Sequence, residues 1–317
     1  MEAQTTKYGT LKGINLYTVH ANGMLQDCAF VEEIELQTTY GILIPKYAYD
    51  FRTKNHYAVS FYSDGSLRRI SLNQPTEILT SLGPISAELI TFYENGNIKR
   101  IFPLNGQLSA FWEESDEYQL ATELAIKLNF GEINSKIIAL SFYENGDLKD
   151  LTFWPNEKIK LNTPLVRINV RIGVSLYQDG SLKSLEPAFP TKINTPIGAL
   201  LAYDKNANGI SGDFNSLNFT KEGTLMSLIT SGNSIKVVLP SGDSVIYTPS
   251  QEIDEDGSEI CFHPLQLEFE EDSVTFNHMD TYPIASSKFL ISTYTVTAIS
   301  GCDDCESCNK ECSSKAN

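Results

Sequence analysis

One tract recurs along this chain: FYSDGSLRRISL from residue 61, FYENGNIKRIF from 92, FYENGDLKDLTF from 142, LYQDGSLKSLE from 176 and FTKEGTLMSLI from 219. Weaker copies are KYGTLKGI from 7, VHANGMLQDCAF from 19 and PLNGQLSAF from 103. A chain built this way must bury the apolar face of each unit against its neighbours, so the repeat dictates the architecture.

Each position in the tract has a physical reason. Asp64-Gly65, Asn95-Gly96, Asn145-Gly146 and Asp179-Gly180 suit a two-residue type I′ hairpin turn, which needs positive φ at both central residues. The residues before the turn alternate, as in Ala139 to Tyr143, which predicts a half-buried strand. After the turn the apolar residues stand three apart, as in Leu148 and Leu151 or Leu182 and Leu185. A regular strand would put those on opposite faces, so the spacing predicts a bulge or bend just past each hairpin.

A second element recurs between the hairpins: ELQTTYGILIP from 35, ILTSLGPI from 78, KLNFGEI from 127, KLNTPLVRI from 160 and KINTPIGALL from 192. It reads as strand, turn, strand. The expected fold is therefore all-β, an antiparallel meander of repeated hairpins forming an elongated or curled sheet. The alternative is closure into a barrel or propeller-like ring, which would remove the sheet edges. No polar capping repeat stands out, so association at an edge is expected. The sequence divides into a repeat domain over 1–250, a small β-rich piece over 251–301 and a Cys-rich tail over 302–317. The one helix candidate is ESDEYQLATELAIKL at 114–128, where Leu120, Leu124 and Leu128 fall four apart.

The Tyr-x-Asn-Gly-x-Leu-Lys pattern resembles bacterial MORN-like repeat proteins over residues 60 to 230. It departs from the eukaryotic form of that pattern in lacking its regular glycines and short fixed period. The resemblance implies a sheet used as a binding platform with no active site of its own.

Charge narrows the partners. Against 24 Lys and Arg stand 40 Asp and Glu, a net charge of −16. Such a surface repels phosphate backbones, so nucleic acid is not an expected partner, and a protein partner is. No apolar stretch is long enough to span a bilayer and the N-terminus does not read as a signal peptide, which predicts a cytoplasmic protein. His20 occupies the slot filled elsewhere by Tyr62, Tyr93, Tyr143 and Tyr177, a packing role. Cys28 falls in the core register of the repeat. No nucleophile, acid–base pair or phosphate loop stands at recognisable spacing, which argues against an enzyme.

Two stretches could hold metal. In DKNANGISGDFN, Asp204, Asn206 and Asn208 take alternate positions of a calcium loop and Asp213 supplies a further oxygen. The twelfth position is Asn215, where a bidentate Glu is usual. In GCDDCESCNKEC, the cysteines Cys302, Cys305, Cys308 and Cys312 have the C-x2-C-x2-C-x3-C spacing that resembles the ferredoxin-type ligand run for a [4Fe–4S] cluster. Zinc is the alternative, and a tail without metal the third reading. The sequence thus predicts a non-enzymatic cytoplasmic β-repeat binding or scaffold protein with a metal centre in its tail, iron–sulfur first. The alternatives are an electron-transfer protein using that cluster and a protein whose Cys tail a partner enzyme modifies.

Overall fold

The computed structural model describes residues 3–54, 57–208, 215–253 and 260–295. The described residues are all-β with antiparallel strands, and one short helix stands among them, α1 (Glu114–Leu120).

The repeated tracts form six hairpins side by side in one sheet. Their strands are Ile14–Val19 with Leu25–Phe30, Val59–Phe61 with Leu67–Thr80, Gly83–Phe92 with Ile98–Phe102, Gly131–Phe142 with Leu148–Phe153, Arg167–Leu176 with Leu182–Pro187, and Leu217–Phe219 with Leu225–Thr230. A seventh unit, Leu265–Phe269, Ser273–Phe276 and Asp280–Pro283, continues the same sheet. The 251–301 stretch thus lends strands to the repeat's own sheets, and Lys288–Thr293 pairs with Asn233–Val238 in a flanking one. The pairings run in one open order, and among the described residues the first strand never pairs with the last. The closed-ring alternative therefore does not hold.

The turns correct the type I′ expectation. The amide of Gly96 donates to the Tyr93 carbonyl at 2.9 Å, and that of Tyr93 to the Asn97 carbonyl at 2.8 Å. Only the glycine has positive φ, +85° at Gly96 and +88° at Gly146. This is a type I turn followed by a left-handed glycine. The bulge expected past each turn is present: Lys99, Lys149 and Lys183 drop out of register between flanking pairs.

Register turns these hairpins into continuous rows. Cys28, Val59, Ile70, Ile90, Ile101, Leu140 and Leu151 oppose one another strand by strand, and the row runs on to Phe276. Every one of these named residues is 0% exposed. The neighbouring row is polar, running through Asp27, Ser60, Arg69, Thr91, Arg100 and Ser141. The recurring second elements form small hairpins such as Leu36–Thr38 with Gly41–Leu43 and Thr191–Thr195 with Gly198–Ala202. Their buried residues, Leu36, Leu43, Ile193 and Leu200 among them, join one hydrophobic cluster with the sheet. Two layers thus enclose a single core.

The tyrosine of each turn ties its hairpin to the next. Tyr62 Oη donates to the Phe92 carbonyl at 2.8 Å, Tyr93 to Phe142 at 2.9 Å, Tyr143 to Leu176 at 2.8 Å and Tyr177 to Phe219 at 2.8 Å. His20 stands first in this relay, with Nε2 3.0 Å from the Phe61 carbonyl. Burial, aided by nearby carboxylates, holds the Tyr62, Tyr93 and Tyr143 hydroxyls above their ordinary pKa, so they remain donors.

Replacing Tyr143 by Phe removes one relay bond and leaves the ring. The expected cost is about 1 kcal/mol, typical of a net hydrogen bond. Urea unfolding of Tyr143→Phe beside Tyr17→Phe, which lies outside the relay, measures it; equal midpoints for the two would sink the relay's role.

Candidate interaction surface

Of the residues singled out for calcium, Asp204, Asn206 and Asn208 lie among the described residues. Asp204 Oδ1 accepts the Asn206 amide at 2.9 Å, a local turn bond. Asn206 Nδ2 donates to the Phe262 carbonyl at 2.6 Å. Asn208 is exposed, and Asp213 lies outside the described residues. Asn215 points inward, its Nδ2 2.7 Å from Ser184 Oγ. Cys302, Cys305, Cys308 and Cys312 lie outside the described residues. Among the described residues no group of three or more His, Cys, Asp and Glu is placed to hold a metal ion. Cys28 is buried, and burial, with Asp27 adding to it, pushes its thiol up to about 12, as a core residue. Cys261 is exposed.

Concave surface lies between the tips of the sheet hairpins and those of the small hairpins. One cleft of about 440 Å³ is lined by Tyr8, Tyr40, Glu94 and Asn97; the next, of about 400 Å³, by Tyr40, Ser81, Asn97 and Asp147. Two more follow the same plan. Clefts that recur with the repeat are gaps its geometry makes, and they do not single out one place.

One place is singled out by the loops that break the repeat. The connections around 44–58 and 103–121 cross and pair. Thr53 bridges Leu108, the Lys54 amide donates to the Gln107 carbonyl at 2.8 Å, and the Ser109 amide to the Arg52 carbonyl at 2.9 Å. Between them lies a buried ionic clamp. The Arg52 guanidinium donates to both oxygens of Glu88 at 3.0 and 2.8 Å and to both oxygens of Glu117 at 2.6 and 2.5 Å. Trp112 Nε1 donates to Glu117 Oε2 at 3.1 Å, and the Asn105 amide to Glu88 Oε2 at 2.9 Å. Glu117 is 0% exposed. Only arginine presents the planar fork that two carboxylates can grip side-on. The carboxylates raise the Arg52 pKa further, so its charge is permanent.

What the clamp carries is apolar and outward. Tyr49 is 64% exposed, Phe51 73% and Phe111 81%. Tyr49 and Phe51 meet edge to face at 5.6 Å, and Ser109 Oγ donates to the Phe51 carbonyl. Single exposed apolar residues are ordinary on a folded protein. Tyr49 and Phe51 form an exposed pair, and Phe111 stands exposed two residues beyond Ser109, on the second of two loops tied by the double ion pair. A binding surface needs this chemistry: rigid rings with little side-chain entropy to lose. The sequence reading did not single out these residues. Their one signal was that the PLNGQLSAF copy breaks off into FWEESDEY, away from the repeat.

Compared with known proteins, the chain matches no family model, no curated protein and no solved structure.

Removing the Arg52 side chain leaves two buried carboxylates facing each other. Arg52→Ala is expected to destabilise by about 3 kcal/mol or more, the cost of breaking a buried pair from one side. Arg52→Lys should recover only part of this, because an ammonium cannot bond four oxygens in one plane. Thermal and urea unfolding of both variants measure it; an unchanged Arg52→Lys midpoint would contradict the fork geometry.

Proposed function

We propose that this chain is a non-enzymatic binding scaffold, with the aromatic loop pair as its principal contact for a protein partner. The observation that carries the reading is the exposure of Tyr49, Phe51 and Phe111 on loops clamped by Arg52, Glu88 and Glu117. The resemblance to MORN-like repeats, which rests on the turn pattern alone, supports a platform role. The net charge of −16 favours a partner with a basic rim around an apolar centre, since complementary charge steers encounter while the aromatic anchors hold it.

The double variant Phe51→Ser, Phe111→Ser tests this. Its melting temperature is expected to match the parent, because both rings lie in solvent. Proteins retained on the immobilised parent chain should be lost from the variant, while a control at the exposed Leu79 (74% exposed) retains them. Equal retention by parent and double variant would overturn the reading.

The tail supports a second element of the same proposal. Four cysteines at C-x2-C-x2-C-x3-C spacing give thiolates enough to bind a cubane or a zinc ion. In our reading such a centre is an appendage to the scaffold, with iron–sulfur placed ahead of zinc. Anaerobic purification with iron, zinc and sulfide analysis, beside a chain truncated after Ser300, is expected to find iron with equal sulfide in the full chain only. Zinc alone selects the alternative, and no metal in either sample refutes a metal centre.

A further inference from the structure

The array ends differently at its two edges. At the far edge the buried row that contains Phe276 meets Asp280, whose carboxylate accepts a hydrogen bond from Tyr247 Oη at 2.7 Å. The last strand also carries Pro283, which has no amide to offer. A charge and a proline are the usual protection of a sheet edge.

At the near edge nothing comparable stands. The first strand, Ile14–Val19, pairs only with Leu25–Phe30, and among the described residues no strand lies on its outer side. The row of fully buried residues reaches this edge as Tyr17, which opposes Cys28 and is 45% exposed. Val19 holds the position just before the turn. Its counterparts Phe61, Phe92, Phe142 and Phe219 are 0 to 2% exposed, whereas Val19 is 48% exposed. The relay is open here as well. Each of those four carbonyls accepts a side chain from the preceding hairpin. Among the described residues none donates to the Val19 carbonyl. The core is thus cut at this edge as if one more unit belonged there.

Charge says what fits. From Gly13 to Gln26 the chain has no Asp, Glu, Lys or Arg, on a molecule of net charge −16. A strand edge without charge selects an uncharged strand. Two copies of an acidic chain can also meet along it without opposing carboxylates. The protected far edge bars head-to-tail addition, which would propagate as a filament. We propose that a second copy of this chain covers the near edge, first strand against first strand, in a closed two-copy assembly with a sheet continuous across both.

The inference uses Tyr17, Val19 and the strand edge, and is independent of the aromatic loop pair. Its test is the solution mass of the 317-residue chain across the micromolar range, with amide hydrogen exchange over residues 14–19. The expected result is twice the chain mass at the higher concentrations, with protection of 14–19 rising as the dimer forms. The double variant Tyr17→Lys, Val19→Lys should be monomeric, and Phe51→Ser, Phe111→Ser should remain dimeric. A chain that stays monomeric overturns the proposal. So does a dimer whose 14–19 exchange is independent of concentration, or one that persists in a folded lysine variant. Growth into larger polymers refutes the closed pairing. Should the lysine variant fail to fold, the exchange of the parent chain decides alone.

Discussion

If the strand after each glycine turn ran without a bulge, every side chain beyond it would point to the wrong face. The extra residue at Arg68, Lys99, Lys149 and Lys183 prevents this. It returns Leu148 and Leu151 to one side, where both are buried. It also brings Ile101, Leu151 and Leu185 onto a single row that neighbouring hairpins share. The type I turn with its left-handed glycine produces this bulge as part of its own geometry. Turn, bulge and core row are therefore one device, repeated. A type I′ turn would close the hairpin as tightly without the phase shift, and the i, i+3 apolar spacing would then expose every second leucine.

The tyrosine relay explains how the array tolerates unequal units. Its bonds keep lengths of 2.8 to 2.9 Å although the linked residues lie from 30 to 49 positions apart. The relay fixes each hairpin to its neighbour at the turn, whatever length of chain intervenes. Inserted chain must then be stabilised largely by its own means, because it meets the sheet's ladder only at isolated bridges such as Pro45 with Leu72. The loops around 44–58 and 103–121 do so with the Arg52 clamp. One guanidinium between two carboxylates leaves a net negative charge, yet four charge-assisted bonds and the Trp112 and Asn105 donors satisfy most of the acceptor sites. A clamp of this kind fixes loop geometry more than it adds stability.

How much of this the sequence disclosed follows from range. The hairpins, their bulges and the second row of turns were legible, because each depends on residues within a dozen positions. The relay was half legible: the aromatic slot before the turn was plain, and its partner in the next unit was not. The clamp was hidden. Glu88 and Glu117 lie 36 and 65 residues from Arg52, and nothing local marks a surface-looking glutamate as buried. The helix candidate was half right for a related reason. Glu114–Leu120 is helical, but Glu123–Leu128 pairs with Gly131–Phe142, and strand pairing outweighs a four-residue leucine spacing. The calcium reading rested on residue types. Asn206 and Asn215 also donate through Nδ2 to the Phe262 carbonyl and Ser184 Oγ, long-range partners that a short oxygen-rich motif does not disclose.

Two of the buried carboxylates, Glu88 and Glu186, share a location that the repeat explains. Strands that serve both layers must kink where they leave the sheet, and the kinks interrupt the ladder. In the second hairpin the shift falls between Ser71 and Thr76, opposite Glu88. In the fifth it falls between Arg171 and Val174, beside Glu186. There Ile172 takes φ +65°, a conformation that costs a side chain with a Cβ about 1–2 kcal/mol. Glycine would relieve the strain but would leave a cavity, since Ile172 is buried. A kink frees backbone groups and admits a loop, and the loop brings amides that need acceptors. Glu88 takes the amide of Asn105; Glu186 takes the amide of Ser216 at 2.8 Å and that of Asp204 at 3.3 Å. Arg171 closes the second site, 3.6 Å from Glu186 and bonded to the Pro187 and Asp204 carbonyls. Burial pushes the Glu186 carboxyl above its ordinary pKa despite these donors. The cost of burying a carboxylate is thus met where the backbone has the most unpaired amides to offer. That is why both acids sit at kinks, and why the loops anchored there are the places where this array departs from its repeat.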